Sequence, residues 1–233
     1  VLHQFGHAGR MEPGDLVLHD GGVTSDGGYA SDITRTMPVS GSFDGRGEAL
    51  YDIVIDAQAI ALGMMRPGVA WRDVHHTVGR RVLEGFADLG LCNGDLDTAA
   101  ERGAYGLVFP HGVGHLLGIE VHDMEGLGED LVGYDTEFQR SAVFGPSNLR
   151  MGKPLREGMV ITVEPGAYLI GPLIDRFRAD GDFDGFWDFD RLTDWVGVGG
   201  VRIEDVVRVT AEGAEVLGPP IPKTKREVEE AMA

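Results

Sequence analysis

The chain has 233 residues, 42% hydrophobic and 25% charged, enough for a sizeable core in one or two domains. Its net charge of −18 makes nucleic acid a poor partner, because phosphate binding needs clustered Lys and Arg. A single cysteine, Cys92, excludes an internal disulfide and a thiolate zinc site.

No apolar run reaches the ~18 residues of a membrane span. The start, Val1-Leu2-His3-Gln4, has neither the basic nor the apolar region of a secretory signal. Cytoplasm, without a membrane partner, is therefore the expected setting, and the missing initial Met suggests a piece of a longer protein. Glycine is abundant, 36 of 233 residues, about twice the usual ~7%. It is spread through ordered-looking segments, which predicts many tight turns and close backbone approaches.

In chain order, Pro13-Gly14-Asp15 enters a short strand at Leu16-Val17-Leu18. A turn-rich segment from Gly21 to Gly28 leads to a second strand, Tyr29 to Thr36, so residues 15–37 read as a β-hairpin closed by Pro38 and Gly41. From Gly47 to Met65, Leu50, Ile53, Val54, Ala57, Ile60 and Ala61 recur at helical spacing, and Arg66-Pro67-Gly68 stops the helix. Trp71 to Leu89 predicts a second helix, ended by Gly90. A Gly- and His-rich block spans 106–123, and residues 124–156 show little periodicity. Met159 to Val163, Ala167 to Ile170 and Gly200 to Thr210 predict strands. Residues 175–196 read as a loop rich in Asp, Phe and Trp, and Lys225 to Met232 as a terminal helix. No repeat or low-complexity linker divides the chain, which predicts one α+β unit over 1–233 with two helices on a curved antiparallel sheet.

Asp20 and Asp32 lie in or beside apolar strand segments, where an ionised carboxylate is costly unless paired or metal-bound. A hairpin brings them together, and like charges that close need a cation. His111, His115 and His122 share one Gly-rich block, and spacing alone does not say which of them ligates. Glu164 ends the apolar run Val160-Ile161-Thr162-Val163, and Glu204 sits within Arg202-Ile203-Glu204-Asp205. Four carboxylates with an imidazole suit Mn(II), Co(II) or Zn(II). They exceed what one ion needs, which favours a bridged pair about 3.5–4 Å apart that acidifies a shared water, the equipment of a hydrolase.

The segments Asp20-Gly-Gly, Tyr29-Ala-Ser-Asp32-Ile-Thr-Arg-Thr36, Pro110-His-Gly-Val-Gly-His115, Val121-His122-Asp123, Val163-Glu164-Pro-Gly-Ala-Tyr168 and Val201-Arg-Ile-Glu-Asp205 resemble the pita-bread metallopeptidases. Within them they look most like the Xaa-Pro peptidases, prolidase and aminopeptidase P. The motifs run in order from His3 to nearly the end.

The resemblance implies roles. Asp20 would chelate one metal, His115 and Glu164 the other, and Asp32 and Glu204 would bridge them, with Mn(II) preferred over Co(II) or Zn(II). Glu164 would also take a proton from the bridging water, so that hydroxide attacks the scissile carbonyl. His122 would contact the substrate beside the scissile amide, His111 and His3 would line the pocket, and Arg202 and Tyr168 would brace the ligands. Arg150, after Leu149, matches the prolidase arginine that holds a dipeptide carboxylate.

The resemblance therefore implies a proline-containing peptide as partner, and it allows a homodimer. Prolidase action leads, with aminopeptidase P action on longer peptides as the alternative. Creatinase-like chemistry without metal, or a non-catalytic peptide- or protein-binding module, are the readings from other classes. Two departures stand out. The Asp20–Asp32 spacing is one position longer than usual, an excess expected in the turn at Thr24 to Gly28. The first-half helices and amino-terminal domain of the family are expected to be absent. His19, adjacent to Asp20, is expected on the opposite strand face as a non-ligand.

Overall fold

In the computed structural model, residues 9–233 are described; His3 falls outside them. Strand β1 (Leu16–Gly21) pairs antiparallel with β2 (Ile33–Pro38), Asp20 facing Thr34 and His19 facing Arg35. The second strand begins later than its apolar pattern suggests because Ser25 to Tyr29 form the turn. There the Ser25 amide donates to the Tyr29 carbonyl and the Gly28 amide to Ser25, both at 2.8 Å. Gly28 adopts φ 84°, a conformation open to glycine without strain. The turn at Thr24 to Gly28, where the extra residue is expected, lies outside the β1–β2 ladder.

Helices α1 (Gly45–Met64) and α2 (Trp71–Asp88) form where the 3.6-residue spacing places them. They bury Leu50, Ile53, Val54, Ala57 and Ala61 from the first, and Trp71, Val74, Val78, Val82 and Phe86 from the second. A short α3 (Leu96–Glu101) follows, its first turn capped by Asp95 Oδ1, which accepts from the Thr98 amide at 2.8 Å. Residues 124–156 contain α4 (Glu129–Gly133) and two single 3₁₀ turns.

Strand β3 (Val160–Val163) is flanked by extended backbone at 113–117. The Glu164 amide donates to Val113 at 2.8 Å, Thr162 to His115 at 2.9 Å, and Leu117 to Val160 at 3.0 Å. Strand β4 (Gly166–Tyr168) then gives way to α5 (Gly171–Asp180) and α6 (Phe189–Thr193), in the span read as a loop. Pro172 in the first turn, Ile174 and Phe177 on one buried face and the left-handed Gly181 are ordinary helix signals. The density of Asp and aromatic residues masks them.

The strand expected over 200–210 is two: β5 (Gly200–Arg202) pairs with β4, and β6 (Asp205–Val209) pairs with β3 and with β7 (Ala214–Val216). The break falls at Ile203-Glu204, where the Glu204 amide instead donates to Thr34 of β2 at 3.0 Å. That bridge joins the hairpin to the other antiparallel segments. Helix α7 (Lys225–Met232) starts with a capping box between Thr224 and Glu227.

Helix α1 packs across β3, β4 and β5, giving the expected α+β layering of helices on antiparallel strands. One buried polar side chain ties the layers. Gln58 Nε2 donates to the Val163 carbonyl at 3.2 Å, to Ile203 at 3.3 Å and to Asp205 Oδ2 at 3.2 Å. Asp205, alternating with Glu204, faces this side and pairs with Arg35 and Lys223, each at 2.7 Å. Despite burial, those two cations hold its carboxyl below the usual range.

Candidate metal centre

Strand alternation decides which side chains meet. Asp32 immediately precedes β2, two positions before Thr34, and Asp20 is directly opposite Thr34. His19 and Arg35 take the other face, as expected for His19. Thr34 Oγ1 donates to Glu204 Oε2 at 2.6 Å, so the bridge between β2 and residue 204 delivers Glu204 to the same face.

His115 arrives from the backbone run beside β3. Ligand atoms of Asp32, His115 and Glu204 lie within 4.8 Å of one another, and His115 Nε2 is 3.5 Å from both Asp32 Oδ2 and Glu164 Oε1. This close approach depends on Gly114, where a Cβ would stand 1.9 Å from the Thr162 carbonyl oxygen. Thr162 Oγ1 accepts from the His115 amide at 3.0 Å and donates to Glu164 Oε1 at 3.2 Å, holding both in place.

The electrostatics suit a cation. His115 Nδ1 lies 3.0 Å from the Leu116 carbonyl; donating there leaves the Nε2 lone pair facing two carboxylates. Burial opposes protonation of this imidazole, but the Asp32 contact and the Glu164 charge outweigh it and raise its pKa. Burial, then the charges of Glu164 and Asp32, pushes the Glu204 carboxyl well above its ordinary range. Burial likewise raises Glu164. Glu204 Oε1 is buried with no hydrogen-bond partner. A divalent ion relieves all of these strains together, so hard oxygen donors, one imidazole and an orphaned carboxylate oxygen fit the implied metals.

Asp20 stands outside the closest trio, on the wall of the same cleft, where it accepts from Arg202 Nη2 at 2.5 Å. Arg202 is buried, and its Nε donates to Thr34 Oγ1 and its Nη1 to the Tyr168 hydroxyl, both at 3.1 Å. The Tyr168 hydroxyl lies 2.9 Å from His111 Nε2, while His111 Nδ1 is 2.8 Å from the Gly112 carbonyl. Burial, followed by the Arg202 charge, drives the His111 imidazole down to about 3. It is therefore neutral at working pH, donating from Nδ1 and accepting at Nε2.

The cleft, about 800 Å³, is lined by these groups and by His122 and Arg150. The His122 ring sits edge-on to His115, centroids 4.4 Å apart. Arg150 Nη1 is paired with Glu125 Oε2 at 2.5 Å and Glu129 Oε2 at 3.5 Å. Ten of the eleven candidate site residues (Asp20, Asp32, His111, His115, His122, Arg150, Glu164, Tyr168, Arg202 and Glu204) thus converge on one region, the eleventh being His3. The supporting residues Thr34, Thr162 and Gln58 escaped the sequence reading. A threonine two strand positions from Asp32 and from Glu164 was the available signal for the first two.

Comparison with known proteins agrees with this architecture. The profile of metallopeptidase family M24 matches residues 1–211. Human Xaa-Pro dipeptidase is 39% identical over 241 residues, covering 100% of this chain and 46% of that protein. A probable Xaa-Pro aminopeptidase of Leptosphaeria maculans is 37% identical, covering 100% of this chain and 39% of its own length. Proline aminopeptidase P II from Yersinia pestis superposes with a TM-score of 0.76 at 34% identity, over 100% of this chain and 45% of that one. A zinc-substituted Escherichia coli aminopeptidase P in complex with product gives the same score and identity, with 44% of that chain covered. The chain spans less than half the length of these relatives. It has the pita-bread fold and belongs to metallopeptidase family M24.

Proposed function

We propose that the protein hydrolyses the bond before proline with two divalent metals, Mn(II) foremost. The observation that supports this is the largely buried cluster of Asp32, His115, Glu164 and Glu204, whose crowded carboxylates and orphaned Glu204 Oε1 suit cations. Asp20 would hold one ion and His115 and Glu164 the other, with Asp32 and Glu204 shared between them. Similarity to Xaa-Pro dipeptidase and Xaa-Pro aminopeptidases supports the proline specificity.

A bound pair of ions supplies an acidified water and a polarised carbonyl. Glu164 takes the proton from the attacking water, kept in position by the Thr162 hydroxyl. Arg202 steadies Asp20 directly and Glu204 through Thr34, while Tyr168 fixes the neutral His111 at the cleft wall. His122, beside His115, contacts the substrate next to the scissile amide. Arg150 receives the free carboxylate of an Xaa-Pro dipeptide, which favours prolidase action over cleavage of longer peptides.

The test is an assay of the full-length protein on Gly-Pro, Ala-Pro and a longer Xaa-Pro peptide with Mn(II) added, alongside metal analysis. Turnover of Xaa-Pro bonds and about two metals per chain are expected. A folded full-length protein that binds no divalent metal refutes the reading.

A further inference from the structure

The arm over residues 125–150 carries a charge network in which Arg150 alone has a part in the proposed reaction. Arg140 is fully committed to the arm. Its Nη1 donates to the Ser147 and Leu149 carbonyls at 2.9 Å, its Nε pairs with Asp130 at 2.6 Å, and its Nη2 pairs with Glu129. Arg140 and Arg150 both line the cleft, but Arg150 is the one with nitrogens to spare, since both of its ion pairs, to Glu125 and Glu129, use Nη1. Its Nε and Nη2 make no hydrogen bond among the described residues, so one bidentate edge is open to a carboxylate. Glu125, only 16% exposed, pairs with Arg150 from behind that edge and also lies 3.9 Å from His122 Nδ1.

We propose that Glu125 is a specificity-determining residue that weakens the hold of Arg150 on a free carboxylate, moderating affinity for Xaa-Pro dipeptides and for the proline product. This rests on the reading of Arg150 as the carboxylate site. Three carboxylates, Glu125, Glu129 and Asp130, surround two guanidiniums, so the network is already net negative before a substrate carboxylate arrives. Glu125 does not block the open edge; it reduces the positive potential that an incoming carboxylate meets there. A peptide extended beyond proline, or capped as an amide, has no charge at that point and is indifferent to it. The same brake acts on proline after cleavage, and so hastens its release.

The experiment uses the full-length Mn(II)-loaded protein, with Ala-Pro and Ala-Pro-amide as paired substrates and proline as inhibitor. Glu125→Gln keeps the shape and removes the charge. It should lower KM for Ala-Pro and the inhibition constant of proline together by about fivefold, the scale of one partly exposed ion pair, while leaving KM for the amide unchanged. Glu125→Asp retains the charge and should keep the parent values, and adding Arg150→Ala to Glu125→Gln should abolish the gain. An unchanged or raised Ala-Pro KM in Glu125→Gln, with Arg150→Ala still selectively impairing the dipeptide, overturns the role of Glu125 alone. If Arg150→Ala impairs both substrates equally, the carboxylate site itself is lost and this inference with it.

Discussion

Replacing Thr162 by Val tests whether the candidate centre is built by the hydroxyl that joins His115 to Glu164. Valine preserves the β-branched shape and strand preference, so the change isolates two hydrogen bonds. The first loss leaves the His115 amide, now satisfied at 3.0 Å, without an acceptor in a buried setting, at about 1–3 kcal/mol. The second removes a donor 3.2 Å from Glu164 Oε1, and bonds to charged groups contribute about 1.5–3 kcal/mol. The two share one oxygen and are not additive, so about 2–4 kcal/mol of destabilisation is expected. That is a large share of the ~5–15 kcal/mol typical of a domain.

Metal affinity should fall as well, by about 10–100-fold, because Glu164 loses the partner that orients it. Urea unfolding of the metal-free protein reads the first effect and calorimetric titration with Mn(II) the second. Thr162→Ser, which restores the hydroxyl, should recover most of both. A Thr162→Val protein within about 0.5 kcal/mol of the parent, with unaltered Mn(II) affinity, would refute the reasoning.

Three further outcomes are expected. Gly114→Ala drives a Cβ to 1.9 Å from the Thr162 carbonyl oxygen; its neighbour is backbone that cannot swing aside, so soluble expression or the thermal transition should be lost. His75 is buried between Tyr105 and Phe109 with both ring nitrogens unpartnered, and burial, aided by His76, lowers its pKa to about 3. Since the unfolded imidazole titrates near ~6.5, the unfolded chain holds the extra proton below that value. The stability from neutral His75 is therefore complete above ~6.5 and is lost toward pH 3, at about 1.4 kcal/mol per pH unit. His75→Phe should remove that one-proton slope from urea melts at pH 5 to 6, and an unchanged slope counts against the burial argument. Arg150→Ala should raise KM for Ala-Pro far more than for a longer Xaa-Pro peptide, and equal losses would dismiss the carboxylate role.

What the sequence discloses and what it hides follow from the range of the forces involved. Helices α1 and α2 and the hairpin are legible because burying one face imposes a period on consecutive residues. Carboxylates inside apolar strands point to the proposed metal centre for a similar reason, since isolated burial of Asp32, Glu164 or Glu204 is costly. Thr34 and Thr162 were within reach, as strand geometry puts a residue two positions from each ligand on the same face.

Gln58 was not within reach. Nothing local distinguishes a glutamine in an apolar helix stripe, and its purpose appears only when Val163 and Ile203, the residues before two of the ligands, present carbonyls to it. The break at Ile203-Glu204 is hidden similarly, because the apolar run continues while the amide turns to Thr34. The arm at 124–156 looks structureless in sequence and holds little regular structure in space. It is ordered by Arg140 and Arg150 gathering carboxylates and carbonyls from separate turns. Periodicity therefore exposes the scaffold and the cost of buried charge exposes the candidate ligands. The residues expected to set substrate length belong to neither class, which is why that choice has to be settled by Arg150 and Glu125 variants on paired substrates.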